Sequence, residues 1–154
     1  MTITIKTAAD IEGMRVAGRL ASEVLDMLTP HVKPGVSTEA LDKLAHDHIV
    51  NVQGGVPAPL NYAPPGYTPY PKSICTSINH QVCHGIPNDR PLKNGDIVNI
   101  DVTVIKDGWH GDTSRMFVVG EGSIAAKRLC QMTYDAMWKG IAKVRPGARL
   151  GDIG

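Results

Sequence analysis

Two aspartates, Asp101 and Asp112, are the strongest candidates for chemistry in this sequence, because one predicted hairpin sets the distance between them. The segment IVNIDVTVI alternates apolar and polar residues, which predicts a strand over 97–105 with Asp101 on its polar face. The Asp-Gly pair at 107–108 is typical of a two-residue type I′ turn, so residues 110–119 are expected to return as the second strand. In that register the two aspartates are diagonal neighbours, and their Cβ atoms lie roughly 7–8 Å apart or a little less.

Two carboxylates at that distance on a half-buried strip repel each other and lose hydration unless a cation lies between them. The pairing of Thr103 with Asp112 and of Asp101 with Ser114 places both carboxylates on one face. A divalent cation fits the gap, either as one ion or as two bridged ions roughly 3.5–4 Å apart, as in two-metal hydrolases. The alternative is that both are solvated acids on an exposed sheet face, and the spacing alone leaves both interpretations open.

A histidine in the loop before this strand is the next candidate. His84 lies in the segment CHGIP, where a backbone turn presents its ring either to a cleft or to solvent, and a single loop histidine is more often inert than catalytic. The three cysteines, Cys75, Cys83 and Cys130, have neither a paired spacing nor a zinc-finger pattern. We therefore interpret the cysteines as small apolar residues and exclude a disulfide scaffold.

Length, composition and charge limit the class of protein. A chain of 154 residues with 42% hydrophobic and 20% charged residues has the size and composition of one globular domain. The net charge of +1 provides no field that would favour nucleic acid or an anionic membrane, and the longest apolar run, 116–119, is far shorter than the ~20 residues that cross a bilayer. No GxGxxG, P-loop, GxSxG or HExxH motif occurs, which argues against dinucleotide, NTP, serine-hydrolase and zincin sites. A soluble, cytoplasmic protein without nucleic-acid or membrane partners is the expectation.

Three amphipathic helices are predicted around the hairpin. Apolar residues recur every three or four positions over 8–28, and Thr7 with the Asp three residues later resembles a capping box. A second helix is expected to begin at the Ser-Thr pair 37–38 and to stop near the Gly-Gly pair 54–55. A third is expected over about 124–144.

A proline-rich segment follows the second helix. Residues 56–71 hold six of the eleven prolines together with Tyr62, Tyr67 and Tyr70. The segment is therefore expected to be an extended loop that cannot pair in a central sheet. It is either a surface excursion or a lid whose tyrosines line an apolar pocket.

An internal repeat is indicated by the exits of the first and third helices. Val-Lys-Pro-Gly at 32–35 reappears as Val-Arg-Pro-Gly at 144–147, an offset of 112 that also places Leu25 on Met137. We predict a single domain over 1–154 that is half of a pseudo-symmetric protein, with its second repeat truncated from about position 121.

Bacterial type I methionine aminopeptidases closely resemble almost the whole of this sequence. The resemblance is carried by KSICTSINHQVCHGIPNDRPLKNGDIVNIDVTVIKDGWHGDTSRMFVVG at 72–120, by the opening IKTAADIEGMRVAGRLASEVL and by the VKPGVST turn. It implies the first, N-terminal half of the pseudo-twofold pita-bread fold of creatinases and aminopeptidases. That fold is an α/β (α+β) architecture, in which helices back a curved antiparallel sheet.

The same resemblance implies a chemistry. The family consists of metal-dependent cytoplasmic exopeptidases that remove the initiator methionine from nascent proteins. Asp101 and Asp112 match ligands of two divalent metal ions, drawn from Co, Mn, Fe and Zn, and His84 matches a catalytic histidine that contacts the scissile amide and stabilises developing charge. The implied partners are N-terminal Met peptides of nascent chains, with the ribosome as a further partner.

Other matches concern substrate binding. Tyr67, Tyr70 and Cys75 fall where the family builds its methionine side-chain pocket, His84 also contacts the substrate, and Asn79 falls at a monovalent-cation site. The family's remaining metal ligands, one His and two Glu, have no counterpart in this chain. The 154-residue chain is therefore expected to be inactive alone.

Three functions stay open at this point: an incomplete methionine aminopeptidase, a non-catalytic half-repeat that binds a partner or associates with itself, and a related Xaa-Pro peptidase. The intact motifs around Asp101, Asp112 and His84 favour the first over the second, since loss of catalysis would be expected to erode them. The CHGIP segment and the tyrosine loop favour it over the third.

Overall fold

The computed structural model describes residues 3–154, and within them the chain forms three α-helices and four β-strands. The elements in chain order are α1 (Ala8–Leu28), α2 (Thr38–Asp47), β1 (Val56–Pro57), β2 (Cys75–Ile78), β3 (Ile97–Lys106), β4 (Trp109–Val118) and α3 (Ile124–Ile141). Short 3₁₀ turns lie at Thr29–His31 and Leu150–Asp152, and a π-helical turn extends α2 over His48–Val52. Within residues 3–154, none of the helices combines the length and the apolar character that a membrane crossing requires.

The sheet is antiparallel and is organised around β3. Strand β4 pairs with the whole length of β3 along one edge, while β2 and β1 follow each other along the opposite edge. The turn between β3 and β4 has φ of 51° at Asp107 and 83° at Gly108, the two positive values that a type I′ turn requires. The predicted hairpin and its register, with Thr103 opposite Asp112, are confirmed.

The hydrophobic core lies between α1 and one face of the sheet. Strand β3 alternates between buried and partly buried residues, and its buried members Val98, Ile100, Val102 and Val104 pack in one cluster with residues of α1. Helix α1 approaches β4 so closely that a Cβ at Gly111 would lie 2.0 Å from the carbonyl oxygen of Ala17. Glycine at this position therefore allows the helix to lie directly on the strand.

The helix starts follow the predicted capping signals. Thr7 Oγ1 accepts a hydrogen bond from the Asp10 amide at 3.2 Å, and the Thr7 amide donates to the Asp10 carboxylate at 2.8 Å, which completes the capping box of α1. Ser37 caps α2 by accepting from the Ala40 amide at 3.2 Å. The bounds predicted for α1 are confirmed, and α3 ends at Ile141, before the predicted position near 144.

The prediction for the proline-rich segment is wrong at its first two residues. Val56 and Pro57 pair with Ile105 and Val104 of the central strand β3. Proline is tolerated here because the next residue supplies the donor: the Ala58 amide donates to the Thr103 carbonyl at 2.9 Å. The rest of the segment, 58–71, contains neither helix nor strand in the part of the chain that the structure describes, as predicted.

Strand β2 was not predicted, and it changes the description of the histidine loop. Its four residues, Cys75–Ile78, are all buried, so they show none of the alternation by which a half-buried strand is recognised. His84 therefore lies in a loop between two strands, β2 and β3, rather than before the first strand of the sheet.

Candidate metal centre and substrate cavity

A cavity of about 620 Å³ lies on the polar face of the β3–β4 hairpin, beneath the proline-rich loop. It brings together all the site residues that the sequence analysis proposed except Asn79. Its lining consists of Ala58, Pro59, Tyr62, Pro64, Tyr67, Thr68, Tyr70, Cys75, His84, Asp101, Thr103, His110 and Asp112. Residues from β2, β3, β4 and two loops, far apart in the sequence, thus face one space.

The two aspartates lie in this cavity as diagonal neighbours on adjacent strands. Burial raises the pKa of the Asp101 carboxyl above its ordinary value, and the nearby Asp112 carboxylate raises it further by repulsion and by hydrogen bonding. His84 acts in the opposite direction and favours the ionised form of Asp101. Asp101 is therefore a partly buried carboxylate, and the positive charge near it does not offset the effects of burial and of Asp112 on its pKa.

This arrangement fits a divalent cation. An ion between the carboxylates of Asp101 and Asp112 would remove the repulsion that raises the pKa of Asp101, and carboxylate oxygens are ordinary ligands of ions such as Zn²⁺ and Mn²⁺. Within residues 3–154, no group of three or more His, Cys, Asp and Glu side chains comes together as a complete metal cage. Among the described residues, the carboxylates of Asp101 and Asp112 are therefore the pair that we consider as candidate metal ligands.

His84 lines the cavity and is also exposed to solvent, so its loop presents the ring at the open side of the cleft. Its backbone has φ of 54°, in the left-handed region that residues with a Cβ seldom occupy. Backbone strain of this kind is concentrated at functional sites, where the surrounding structure holds it in place.

The proline-rich loop forms a wall of the cavity. The Asn61 amide donates to the Tyr70 carbonyl at 2.8 Å and the Tyr70 amide to the Tyr62 carbonyl at 2.9 Å, so the ends of the loop between Tyr62 and Tyr70 are tied together. Tyr67 on this loop is 74% exposed while it also lines the cavity. The tyrosines thus line a pocket, as the lid interpretation predicts.

Tyr70 and Cys75 form the more buried part of the wall. The single proton of the Tyr70 hydroxyl is shared between the carbonyls of Gly85 at 3.0 Å and Ile74 at 3.2 Å. Burial raises the pKa of Tyr70 well above its ordinary value, which keeps this donor protonated. Burial also raises the pKa of the Cys75 thiol. Cys75 is therefore a neutral, apolar wall residue rather than a nucleophile.

Asn79 lies outside the cavity, at the end of β2. Its side-chain amide donates to Asp96 Oδ1 at 2.8 Å, and its Oδ1 accepts from the Ile97 amide at 3.0 Å. The side chain thus joins the end of β2 to the start of β3. A role for Asn79 at a monovalent cation stays a prediction.

Two further residues, Tyr62 and His110, line the cavity; Tyr62 was expected there only in the lid interpretation of the loop, and His110 was not singled out as a site residue. His110 could have been found from strand alternation, because it lies two residues before Asp112 on β4 and so shares its face. For Tyr62 the sequence left open whether the loop is a surface excursion or a lid, and the folding of the loop places it on the cavity with Tyr67 and Tyr70.

Known proteins similar to this chain were found in three comparisons. The model of metallopeptidase family M24 matches residues 12–154. The methionine aminopeptidase of Rickettsia prowazekii (strain Madrid E) is 64% identical over 154 residues, and that of Escherichia coli (strain K12) is 59% identical over 155 residues. Each match covers 100% of this chain and 57% of the relative, so the chain spans a little over half the length of these curated relatives.

Solved structures show the same relationship. The crystal structure of methionine aminopeptidase from Rickettsia prowazekii is similar with a TM-score of 0.93 at 63% identity, covering 99% of this chain and 59% of that one. A prolidase from Pyrococcus furiosus has a TM-score of 0.78 at 18% identity over 97% of this chain and 41% of its own, a likeness of fold alone. These neighbours confirm the pita-bread fold and the resemblance drawn from the sequence, and this chain belongs to metallopeptidase family M24.

Proposed function

We propose that the chain is the part of a methionine aminopeptidase that supplies two metal-binding carboxylates and one wall of the methionine pocket. The observation that carries this proposal is the convergence of Asp101, Asp112 and His84 on one cavity with an aromatic wall. The 64% identity to a protein named methionine aminopeptidase supports the choice of reaction. The proposed activity is removal of the initiator methionine from nascent proteins in the cytoplasm, with the ribosome as a further partner.

Asp101 and Asp112 would hold two divalent ions, drawn from Co, Mn, Fe and Zn. Such ions supply Lewis-acid activation of a carbonyl group and lower the pKa of a coordinated water. His84 lines the same cavity and would donate a hydrogen bond to the scissile amide, where negative charge develops. Asn79 is proposed only as a ligand of a monovalent cation outside the cavity.

The methionine side chain would lie between the tyrosines and Cys75. Tyr70 is held by two backbone carbonyls and Cys75 is 8% exposed, so both present rigid, largely apolar surfaces. Tyr67 is more exposed and would close the outer side of the pocket. A mainly apolar cavity with a few polar groups at one end suits an apolar side chain attached to a peptide amide.

The chain alone is proposed to be inactive. Two carboxylates make a weak cage for a transition-type ion, and the resemblance implies one His and two Glu ligands that these 154 residues do not contain. The test is release of methionine from a Met-Gly peptide, with and without Mn(II) or Co(II), by this chain and by a form extended to the full length of its relatives. Metal-dependent release by the extended form alone is the expected result.

Asp112→Asn provides the control for this experiment. It should abolish release by the extended form, because it removes a metal-binding carboxylate, and should change little in the shorter chain. Equal activity of the short and extended forms would contradict the proposal that the chain is incomplete. Absence of release from both forms would contradict methionine aminopeptidase activity itself.

A second candidate is a non-catalytic half-repeat that binds a partner or a second copy of itself. The exposed apolar face of α3 favours it: Leu129 is 60% exposed, Met132 57% and Trp138 52%. The mass of the chain in solution, measured by light scattering, discriminates between the two. A stable dimer without metal-dependent release from either form would favour this candidate.

A further inference from the structure

The loop that carries His84 is attached to β2 by a side chain outside the cavity. We propose that Ser77 is a positioning residue that holds the His84 ring towards the two aspartates. The expected effect on catalysis rests on the proposed function, in which His84 contacts the substrate. Ser77 does not line the cavity and acts through the backbone of Gly85.

His84 has a backbone conformation that requires support from its surroundings. Its φ of 54° lies in the left-handed region, where the Cβ crowds the carbonyl oxygen. The residue is exposed, so burial of its ring does not hold it there. Contacts made by the neighbouring backbone must therefore keep the loop in this shape.

Gly85 makes those contacts. Its amide donates to Ser77 Oγ at 3.1 Å, and its carbonyl accepts from the Thr76 amide at 2.8 Å and from the Tyr70 hydroxyl at 3.0 Å. A Cβ at this position would lie 2.1 Å from the Thr76 carbonyl oxygen, so the loop rests directly on β2. The amide and the carbonyl of the buried Gly85 are thus both hydrogen-bonded, to residues of β2 and to Tyr70.

Ser77 is the contact that can be removed without altering the cavity wall. Tyr70 lines the cavity, and Thr76 contributes its backbone. Strand register separates the two side chains of β2: Ser77 lies opposite Asn99 on the polar face, whereas Thr76 lies opposite the core residue Ile100.

Loss of the Ser77 hydroxyl would leave the buried Gly85 amide without its acceptor. A buried donor without a partner is unfavourable, so the loop would shift until this amide reaches water. His84 precedes Gly85 directly, and its ring would move away from Asp101 and Asp112 with the loop. The hydroxyl of Ser77 thus sets the direction of a residue that it does not touch.

The first test measures amide hydrogen exchange in the 154-residue chain. Ser77→Ala should make the Gly85 amide exchange about tenfold faster, while amides in β3 keep their rates, because one hydrogen bond is lost locally. The His84 HN–Hα coupling, which reports φ, should change in the same variant. Ser77→Thr keeps the acceptor and should retain slow exchange.

Thr76→Val is the matched control for this test. It deletes a buried hydroxyl from the neighbouring position of β2, and within residues 3–154 that hydroxyl has no hydrogen-bond partner. It should leave the Gly85 amide unchanged. The inference would be overturned by an unchanged Gly85 rate and His84 coupling in Ser77→Ala, or by equal acceleration in Ser77→Ala, Ser77→Thr and Thr76→Val.

The second test measures methionine release by the form extended to the full length of its relatives. Ser77→Ala should lower kcat about tenfold and leave KM within about twofold, because His84 acts at the reacting amide rather than on the methionine side chain. Ser77→Thr should restore kcat. Faster Gly85 exchange with an unchanged kcat would overturn the positioning role. If no form releases methionine, the proposed function fails. The Gly85 amide exchange rate and the His84 HN–Hα coupling then decide whether Ser77 positions His84.

Discussion

Helices α1 and α3 occupy equivalent places in the proposed repeat, yet they differ in what covers them. Ala17 and Leu25 of α1 are 0% and 1% exposed, whereas Leu129 and Met137, at the offset of 112, are 60% and 48% exposed. Helix α1 lies on the β3–β4 hairpin, while the buried residue of α3 is Gly140. An apolar stripe therefore stabilises a helix only where a second surface removes it from water.

The difference concerns energy as well as geometry. Apolar surface that leaves water contributes about 25 cal/mol per Å² to stability, and a helix without such packing is marginally stable by itself. Helix α1 receives this contribution through the sheet, and α3 receives little of it within the described residues. The chain spans 57% of the length of its relative from Rickettsia prowazekii, and within the described residues the apolar face of α3 stays exposed.

The largest expected difference comes from truncating equivalent apolar side chains. Leu25→Ala should lower the free energy of unfolding by about 2–5 kcal/mol, because it creates a cavity in the core. Met137→Ala should change it by less than about 0.5 kcal/mol, since the side chain is half exposed and leaves no cavity. Urea denaturation of both variants measures the contrast. Similar losses in the two variants would show that the face of α3 is covered in solution.

A smaller effect is expected where α1 meets β4. Gly111→Ala would place a Cβ 2.0 Å from the Ala17 carbonyl oxygen and should destabilise the chain by about 1–3 kcal/mol through overpacking. Gly18→Ala, on the helix itself, meets no atom within 4 Å and should be neutral or stabilising by up to about 1 kcal/mol, since alanine favours helix. Thermal unfolding of the two variants compares them. An unaffected Gly111→Ala protein would show that α1 does not need this close approach.

The smallest effect is expected from surface ion pairs. Arg115 of β4 contacts Asp26 of α1 at 2.9 Å, and Lys127 of α3 contacts Glu121 at 3.5 Å, with all four side chains well exposed to solvent. Asp26→Asn and Glu121→Gln should each change the free energy of unfolding by at most about 1 kcal/mol, and less at high salt. A much larger effect of Asp26→Asn would mean that charge, rather than apolar burial, holds α1 on the sheet.

Local sequence patterns are sufficient for the helices and for the hairpin. Thr7 and Ser37 have side chains that satisfy free amides at helix starts, and Asp107-Gly108 tolerates the positive φ values of a type I′ turn. Each of these effects acts within a few residues. The diagonal placement of Asp101 and Asp112 follows directly from the hairpin register, which is why the carboxylate pair of the candidate site could be predicted from local patterns.

Contacts between distant segments decide the rest. Strand β2 and the short strand Val56–Pro57 form because β3 offers its free edge, and neither segment has a periodic pattern that reveals this. The position of His84 at the cavity is proposed to depend on hydrogen bonds between β2 and the next residue, Gly85. The position of Tyr62 depends on how the proline-rich loop folds over the hairpin. The sequence by itself thus determined the helices, the hairpin and the carboxylate pair, because caps, turns and periodicity are local. Only the tertiary structure decided which loop faces the carboxylates and which apolar helix face is buried, because both depend on the surface that packs against them.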